Sequence, residues 1–244
     1  MDRKIAVLGD IHANLDALEV VLADARAQNV NEFICTGDVV GYNACPNECC
    51  DRIRALGATT VCGNHDHYCA FDESLEDFHP LAAAVVAWTR RQLSSDNAAW
   101  LRALPYTAMV KGIQVVHSTL DMPEHWGYVF ESVEAEPSFT YQRTQLCFHG
   151  HTHVPVVFEQ FRFEQVSRLP AEDFSPVLGR KYFINTGSVG QPRDSDPRAS
   201  YLLYEPGSRT VRFRRLEYDI AAAQQRVLAA GLPEHLARRL GAGR

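Results

Sequence analysis

The sequence of 244 residues predicts an α/β fold on two observations. Short apolar runs alternate with amphipathic helical stretches from Lys4 to Cys62, which is typical of βαβ units with right-handed crossovers. Three of these runs end at a glycine that is followed by Asp10, Asp38 or Asn64. Ligands bind at the carboxyl ends of strands in open α/β sheets, so this pattern predicts a ligand site at one sheet edge.

The first part of the chain reads as three strands separated by two helices. Apolar residues recur at helical spacing over Leu15–Gln28, and Asn14 precedes them as a predicted N-cap. The second helix, Pro46–Leu56, has proline in its first turn and Gly57 just past its end. The predicted strands are Lys4–Leu8, Phe33–Thr36 and Thr59–Cys62.

The middle of the chain is more helical, and the second half returns to strands. Helices are predicted over Leu81–Leu93 and Asn97–Leu104, the second capped by Ser95 or Asp96 and stopped by Pro105. Neither an internal repeat nor a shift in composition occurs, which predicts one domain over residues 1–244. The remaining predicted elements are the strands Ile113–Val116, Leu146–Phe148, Val154–Phe158, Tyr182–Ile184, Ser200–Tyr204 and Thr210–Leu216, and the helices Ile220–Leu228 and Glu234–Leu240.

The overall composition excludes several classes of protein. Hydrophobic residues make up 46% of the chain and charged residues 22%, which is enough for a large core. The formal charge of −6 argues against stable binding to nucleic acids or anionic membranes. An anionic substrate remains compatible, because bound dications reverse the local sign of charge. The longest apolar stretch, Leu81–Trp88, is far shorter than the roughly 18 residues of a membrane span.

The cysteines indicate the redox compartment. An odd count of seven without a secretion signal predicts reduced thiols and a cytoplasmic location. The stretch Cys45-Pro46-Asn47-Glu48-Cys49-Cys50 has the look of a metal knuckle, but a structural zinc site needs a second Cys or His pair, and none follows at matching spacing. Buried or half-exposed thiols on a loop-to-helix turn are therefore expected here.

Four short segments gather residues that bind metals. Asp, Asn and His are ligands for divalent first-row metals with mixed oxygen and nitrogen coordination. Each segment alone is weak, because a single Asp-x-His or His-x-His is more often structural. Together they supply enough ligands for two ions, which predicts a two-metal hydrolase acting on phosphate esters. The segments are Asp10-Ile11-His12, Gly37-Asp38, Gly63-Asn64-His65-Asp66 and Gly150-His151-Thr152-His153, with His117 between the last two.

This ordered set resembles the sequence blocks of the calcineurin-like metallophosphoesterase superfamily, over about residues 4 to 190. The resemblance implies a four-layered α/β/β/α sandwich in which two mixed β-sheets pack face to face with helices outside. The segments Asp38-Val39-Val40-Gly41-Tyr42 and Asn185–Arg193 are similar to blocks of the small bacterial phosphodiesterase-like members.

The resemblance also implies a role for each residue of the site. Asp38 would bridge the two ions and is counted with the catalytic residues, and Asn64 would also contact substrate. His65 would stand near the leaving group as the general acid. One ion would be held by Asp10, His12, Asp38 and His153, and the other by Asp38, Asn64, His117 and His151.

One departure from the family concerns the residues that follow the bridging aspartate. In the protein-phosphatase branch a second Asp and an Arg occupy the positions held here by Gly41 and Tyr42, which argues against a Ser/Thr protein phosphatase. The residue that orients His65 is left open, since Asp66 is adjacent and adjacent side chains often point apart. Arg193 is a candidate for the missing phosphate contact, because guanidinium groups match phosphate oxygens. The alternative is a solvated loop arginine.

The expected mechanism is attack by a hydroxide that bridges two divalent metal ions, in line with the leaving oxygen of a small phosphodiester or phosphomonoester. The ligands are compatible with Mn²⁺, Fe, Ni²⁺, Co²⁺ and Zn²⁺. Alternative functions are a phosphoprotein or dinucleoside-polyphosphate hydrolase and, from another class, a non-catalytic protein-interaction scaffold on the same fold. Neither the substrate nor the oligomeric state can be read from the sequence.

Overall fold

The computed structural model describes residues 3–76 and 80–244. These residues form two β-sheets and several helices. The strands are β1 (Ile5–Leu8), β2 (Glu32–Cys35), β3 (Thr59–Thr60), β4 (Thr107–Val110), β5 (Ile113–Val116), β6 (Leu146–His149), β7 (Val156–Phe161), β8 (Ser167–Leu169), β9 (Arg180–Asn185), β10 (Ala199–Glu205) and β11 (Thr210–Leu216). The α-helices are α1 (Leu15–Ala27), α2 (Pro46–Ala55), α3 (Asn64–Ala70), α4 (Pro80–Gln92), α5 (Ser95–Arg102), α6 (Ser132–Tyr141), α7 (Ile220–Ala229) and α8 (Glu234–Ala242).

Both sheets are mixed, as expected. The first has the strand order β11-β10-β1-β2-β3, with β1, β2 and β3 parallel and β10 and β11 antiparallel to their neighbours. The second has the order β4-β5-β6-β9-β7-β8, with β5, β6 and β9 parallel. The carboxyl ends of the parallel strands are therefore the starting points of the loops that carry the predicted metal ligands.

The layers follow from the period-two alternation of side chains along the strands. Ile5 and Val7 of β1 are buried in the core between the two sheets, whereas Ala6 and Leu8 are buried in the core shared with α1. On the other face of the second sheet, side chains of β7 and β9 pack with Phe139 of α6. Helix, sheet, sheet and helix thus form four layers, and the predicted α/β/β/α sandwich is confirmed.

The observed N-cap is the predicted residue in α1 but not in α5. The side chain of Asn14 accepts a hydrogen bond from the backbone N–H of Ala17, so the predicted N-cap of α1 is confirmed. Helix α5 is capped by Ser94, whose hydroxyl accepts from Asn97 N–H, and the predicted cap at Ser95 or Asp96 was wrong by one or two residues. Among the α-helices and strands of the described residues, four were not predicted: α3, α6, β4 and β8.

The C-terminal helices α7 and α8 form a hairpin that packs on α4. Their shared core contains Val85 of α4, Val227 of α7 and Leu236 and Leu240 of α8. Tyr42, in the loop after β2, packs against the same core. The hairpin therefore reaches the loop that carries Asp38. None of the helices in the described ranges combines the length and apolar character needed to cross a membrane.

Candidate metal centre

The loops after five strands bring the predicted metal ligands to one buried place. Those loops follow β1, β2, β3, β5 and β6, and each begins where its strand leaves the sheet. All six of the Asp and His candidates are at most 4% exposed. They are Asp10, His12, Asp38, His117, His151 and His153.

The first group contains four side chains, Asp10, His12, Asp38 and His153, whose candidate ligand atoms all lie within 4.8 Å of one another. The Nε2 atoms of His12 and His153 are 2.9 Å apart. Asp38 Oδ2 is 3.4 Å from His12 Nε2, and Asp10 Oδ1 is 3.5 Å from His153 Nε2. These are the four residues that the family resemblance assigns to one ion.

The second group shares Asp38 with the first. Asp38, His117 and His151 have candidate ligand atoms within 4.8 Å of one another. His117 Nε2 is 3.4 Å from Asp38 Oδ2, 3.1 Å from His151 Nδ1 and 3.1 Å from Asn64 Oδ1. The structure thus brings all seven predicted ligands together, with one oxygen of Asp38 between the two groups.

The outer nitrogen of each imidazole is occupied by a backbone carbonyl. A carbonyl oxygen only accepts, so the nitrogen facing it donates, and the inner nitrogen of a neutral ring then carries a lone pair. Such an outer hydrogen bond is the usual support of a metal-bound histidine. His12 Nδ1 donates to Val40 O (3.0 Å), His117 Nδ1 to Thr36 O (2.8 Å), His153 Nδ1 to Gln191 O (2.6 Å), and His151 Nε2 to Trp126 O (2.9 Å).

Charge in the cluster also fits cations. Burial lowers the pKa of His151 to about 3 and that of His12 and His153 well below the ordinary value, which keeps these rings neutral. Burial would raise the pKa of Asp38, but His117 outweighs it and holds the carboxyl ionised. Burial would likewise lower the pKa of His117, but Asp38 outweighs it and raises the pKa of this ring to about 9. Among the described residues, the only ion-pair partners of Asp10 and Asp38 are histidines. Imidazole nitrogens beside buried carboxylates are a donor set for divalent first-row metals.

The backbone is strained at the same residues. A positive φ is uncommon outside glycine, although Asp, Asn and His tolerate it best, and such strain concentrates at functional sites. The loops therefore hold the side chains in an arrangement that local preference alone does not give. The residues are Asp10 (φ 49°), His12 (49°), Asp38 (53°), His151 (72°) and His153 (61°).

Two glycines of the motifs make room for the carboxylates. A Cβ added at Gly63 would lie 2.1 Å from Asp38 Oδ1, and one added at Gly150 would lie 2.4 Å from Asp10 Oδ2. Both distances are far below van der Waals contact. Glycine is therefore required at these two positions by close packing against the proposed ligands.

His65 lies beside the first group of candidate ligands. Its backbone N–H donates to Asp38 Oδ1 at 2.8 Å, and its ring is 4.9 Å from that of His12. Burial lowers the pKa of His65 to about 4. Its buried Nδ1 has no hydrogen-bond partner within residues 3–76 and 80–244, and it faces Gly41, where an added Cβ would lie 2.4 Å away.

Asp66 does not orient His65. Its Oδ1 accepts from the backbone N–H groups of Val39 (2.8 Å) and Val40 (3.2 Å), and its Oδ2 accepts from Gly63 N–H (3.1 Å). The carboxylate therefore ties the loop after Asp38 to the loop after β3. Its role is to hold two proposed ligand loops in register.

Arg193 lies near the cluster on the side of Tyr42. Its Nη2 donates to Gln191 Oε1 at 2.8 Å, and its guanidinium carbon is 5.5 Å from the centre of the Tyr42 ring. Its positive charge contributes to lowering the pKa of His12, His65 and His153. The side chain is half-buried.

The loop after His117 supplies contacts that sequence reasoning did not assign. Trp126, at φ 55°, offers its carbonyl to His151, and Tyr128 stacks on the same imidazole with ring centroids 4.2 Å apart. The sequence gives no signal for a backbone carbonyl contact. The only sequence feature that indicated such contacts was the presence of aromatic residues in the loop after His117.

Comparison with known proteins relates the chain to one superfamily. The profile described as Calcineurin-like phosphoesterase superfamily domain matches residues 4–209. An uncharacterized protein of Methanocaldococcus jannaschii is 38% identical over 244 residues, which is 98% of each chain. A metallophosphoesterase of Sphaerobacter thermophilus is 40% identical, with a TM-score of 0.88 over 100% of both chains. A hypothetical protein of Pyrococcus horikoshii, 19% identical, has the same fold, with a TM-score of 0.80 over 99% of this chain and 98% of that one.

Proposed function

The chain belongs to the calcineurin-like phosphoesterase superfamily and is a metal-dependent phosphoric ester hydrolase, and we propose that it cleaves a small phosphodiester or phosphomonoester at a pair of divalent metal ions. One observation carries the proposal. Asp38 Oδ2 is 3.4 Å from His12 Nε2 in one group and 3.4 Å from His117 Nε2 in the other. A carboxylate shared between two sets of imidazole nitrogens is suited to bridging two cations.

The proposed ligands divide as the two groups do. Asp10, His12, Asp38 and His153 would hold one ion, and the other would be held by Asp38, Asn64, His117 and His151. When bound, such ions activate water as a nucleophile at neutral pH and neutralise charge on the phosphoryl oxygens. Manganese is one of several metals compatible with this set, which also includes Fe, Ni, Co and Zn.

Three side chains are proposed to contact the substrate directly. His65 is proposed to give a proton to the departing ester oxygen, and its position next to Asp38 through a 2.8 Å backbone hydrogen bond supports this role. Burial lowers the pKa of His65 to about 4, so this role requires that the bound anionic ester stabilise the imidazolium, as a nearby negative charge does. Arg193 is proposed to bind a phosphate oxygen, because its planar donors match that group. Asn64 would contact substrate as well as metal, since its Oδ1 lies in the second group, 3.1 Å from His117 Nε2.

The setting of the enzyme is part of the proposal. All seven cysteines are buried free thiols, which supports a cytoplasmic location. The formal charge of −6 supports a small phosphate ester as substrate rather than stable nucleic-acid binding. The protein-interaction scaffold is the weaker alternative, because each proposed ligand position holds a residue able to bind metal.

Metal-loaded protein assayed with bis-p-nitrophenyl phosphate and p-nitrophenyl phosphate tests the proposal. We expect turnover of at least one ester and, by elemental analysis, two metal ions per chain. Asp38→Asn should reduce the metal content and lower activity at least about 100-fold. Loss of a residue that only supports a metal ligand costs up to about 100-fold, and loss of a ligand should cost at least as much. Asp72→Asn, which changes a fully exposed carboxylate, should leave both unchanged. Two outcomes would refute the proposal: no turnover with any of the five metals, or a single ion per chain.

A further inference from the structure

The loop from Trp126 to Phe130 brings aromatic rings to the second group of candidate metal ligands. The ring of Tyr128 stacks on the imidazole of His151, with centroids 4.2 Å apart and an angle of 21° between the two planes. The ring of Trp126 lies at 71° to that of His117, with centroids 6.1 Å apart. Two proposed ligands of the same ion therefore have an aromatic neighbour from this loop.

Phe130 extends this stack of rings towards solvent. Its ring is nearly parallel to that of Tyr128, at 9°, and the two centroids are 5.8 Å apart. Tyr128 is 52% exposed and Phe130 is 44% exposed, whereas Val129 between them is only 1% exposed and belongs to a hydrophobic core. The two rings therefore present much of their surface to solvent on a loop that is anchored between them.

Hydrogen bonds fix both ends of the same loop. At one end, the carbonyl of Trp126 accepts from His151 Nε2 at 2.9 Å. At the other end, the backbone N–H of Phe130 donates to Glu134 of α6 at 2.6 Å, and its carbonyl accepts from Arg168 of β8 at 3.1 Å. The rings are thus held in place before any ligand arrives, and a preformed surface binds with a smaller loss of conformational entropy.

A pair of parallel, half-exposed rings is suited to a flat partner. Single hydrophobic side chains on a surface are ordinary, but adjoining rings form a continuous apolar face. Aromatic rings prefer offset-stacked neighbours, and proteins bind the bases of nucleic acids by stacking them on such side chains. The pair therefore favours an aromatic group over a saturated one of the same size.

His151 connects this aromatic surface to the metal site. Its Nδ1 lies 3.1 Å from His117 Nε2 in the second group, and the face of the same imidazole contacts the ring of Tyr128. One imidazole therefore separates the stacked rings from the place proposed for an ion. The ester substituents of a phosphoryl group held there extend over the neighbouring surface, which on this side is aromatic.

We propose that Tyr128 and Phe130 form a stacking subsite for a planar aromatic group carried on an ester oxygen of the substrate. The substrate is then a phosphate ester with a flat ring on one arm, either a simple aryl group or a nucleobase. This inference rests on the proposed function, because it uses the metal site as the place of the phosphoryl group.

Matched ligands that differ only in the aromatic character of one ring test the proposal. Phosphonates have a P–C bond in place of the ester bond, so they bind without being hydrolysed. We would measure binding of phenyl phosphonates with zero to three methylene groups between ring and phosphorus, and of their cyclohexyl counterparts, to the Mn²⁺-loaded protein by titration calorimetry. At the best spacer length, the wild type should bind the phenyl ligand at least about fivefold more tightly, which corresponds to the lower end of base–aromatic stacking.

Variants that remove the rings should abolish this preference. Phe130→Leu should reduce the ratio of the two affinities, and the double variant with Tyr128→Leu should bring it close to 1. Tyr128→Phe keeps the ring without the hydroxyl and should retain the wild-type ratio. Phe163→Leu is the matched control, since it removes a fully exposed ring in the turn between β7 and β8, and it should also retain the ratio.

A second pair of ligands distinguishes the two sources of the flat ring. Tighter binding of 9-(2-phosphonoethyl)adenine than of 2-phenylethylphosphonate would identify a nucleobase, and the reverse order would identify a simple aryl group.

The ratio of affinities also separates stacking from a structural role. If Tyr128 only supported His151, its loss would weaken the phenyl and cyclohexyl ligands equally, and an unchanged ratio in the double variant would overturn the inference. Equal binding of the two ligands by the wild type at every spacer length would also overturn it. Because binding is measured without turnover, a protein that prefers aromatic phosphonates through these rings but hydrolyses no ester would refute the proposed function alone.

Discussion

The Nε2 atoms of His12 and His153 face each other at 2.9 Å while both rings donate from Nδ1 to backbone carbonyls. Neither Nε2 carries a proton in the neutral rings, so two lone pairs point at one another. A cation that accepts both lone pairs removes this repulsion. The pair of histidines therefore couples metal binding to the stability of the fold.

Removing metal should lower thermal stability for this reason. A ligand that binds only the folded state at 100 times its Kd contributes about 2.7 kcal/mol to the free energy of unfolding. For a chain of this size that corresponds to a fall in Tm of about 5–10 °C after exhaustive treatment with a chelator. Calorimetric scans with and without Mn²⁺ would measure it, and elemental analysis would verify removal. Identical Tm values for the two forms would contradict the coupling.

His65→Ala should impair substrates according to their leaving group. A general acid contributes about 10²–10⁴-fold where the leaving oxygen needs a proton and little where the leaving phenolate is stable. We expect a loss in that range for alkyl phosphate esters and a loss below about 10-fold for p-nitrophenyl esters, measured as kcat/KM. His125→Ala, which removes an exposed histidine, is the control and should have no effect. Equal losses on both substrate types would rule out proton donation by His65.

Gly41→Ala should displace the side chain of His65 although His65 itself is not mutated. The new Cβ would lie 2.4 Å from His65 Nδ1, so the imidazole has to move. Activity should then show the leaving-group pattern of His65→Ala in milder form. Gly57→Ala is the matched control, because Gly57 also has a positive φ but has no atom within 4 Å of the added Cβ.

Both glycine variants carry the backbone cost of a left-handed alanine, about 1–2 kcal/mol. Denaturation in urea should show similar losses of stability for the two, whereas only Gly41→Ala should lose activity on alkyl esters. If Gly57→Ala impaired the enzyme as much as Gly41→Ala, the effect would come from backbone strain and not from His65.

Elements with strong apolar periodicity could be predicted from the sequence, and elements without it could not. Helix α1 with its Asn14 cap and strand β5 were found where expected, because the pattern and the cap are local. Helix α6 was missed because Pro137 lies inside it and only three of its residues are buried. Strand β4 was missed because it is a short edge strand whose residues alternate between exposed and half-exposed.

Some features of the candidate site could likewise be predicted from the sequence, and others could not. That Asp10, Asp38 and His117 lie close together could be predicted, because each follows a predicted strand. The carboxyl ends of parallel strands lie at one edge of a sheet, which brings the three residues together. The contact of Gly41 with His65 and the packing of Tyr42 against the C-terminal hairpin depend on how distant parts of the chain pack. No local pattern encodes such contacts, and they became visible only in the folded chain.

The free energy of unfolding should depend on pH through Asp24. Its Oδ1 accepts from Arg214 Nη2 at 2.7 Å and its Oδ2 from the Tyr201 hydroxyl, which ties α1 to β10 and β11. Burial raises the pKa of Asp24, but the hydrogen bonds from Arg214 and Tyr201 outweigh it and hold the pKa below the ordinary value near 3.9. A carboxylate with a lowered pKa in the fold stabilises the protein above the unfolded pKa. That contribution is lost as the pH falls through the folded pKa.

Asp24→Asn should therefore lower the free energy of unfolding at pH 7 by about 1.5–3 kcal/mol, the usual contribution of hydrogen bonds to a charged group. The difference between wild type and variant should shrink as the pH falls from about 5 to 2, because the wild-type carboxyl becomes protonated there. Urea denaturation followed by circular dichroism across this range would measure it. Other acidic groups titrate equally in both proteins and cancel in the difference. A gap between the two curves that stayed constant with pH would mean that Asp24 acts through its shape and not its charge.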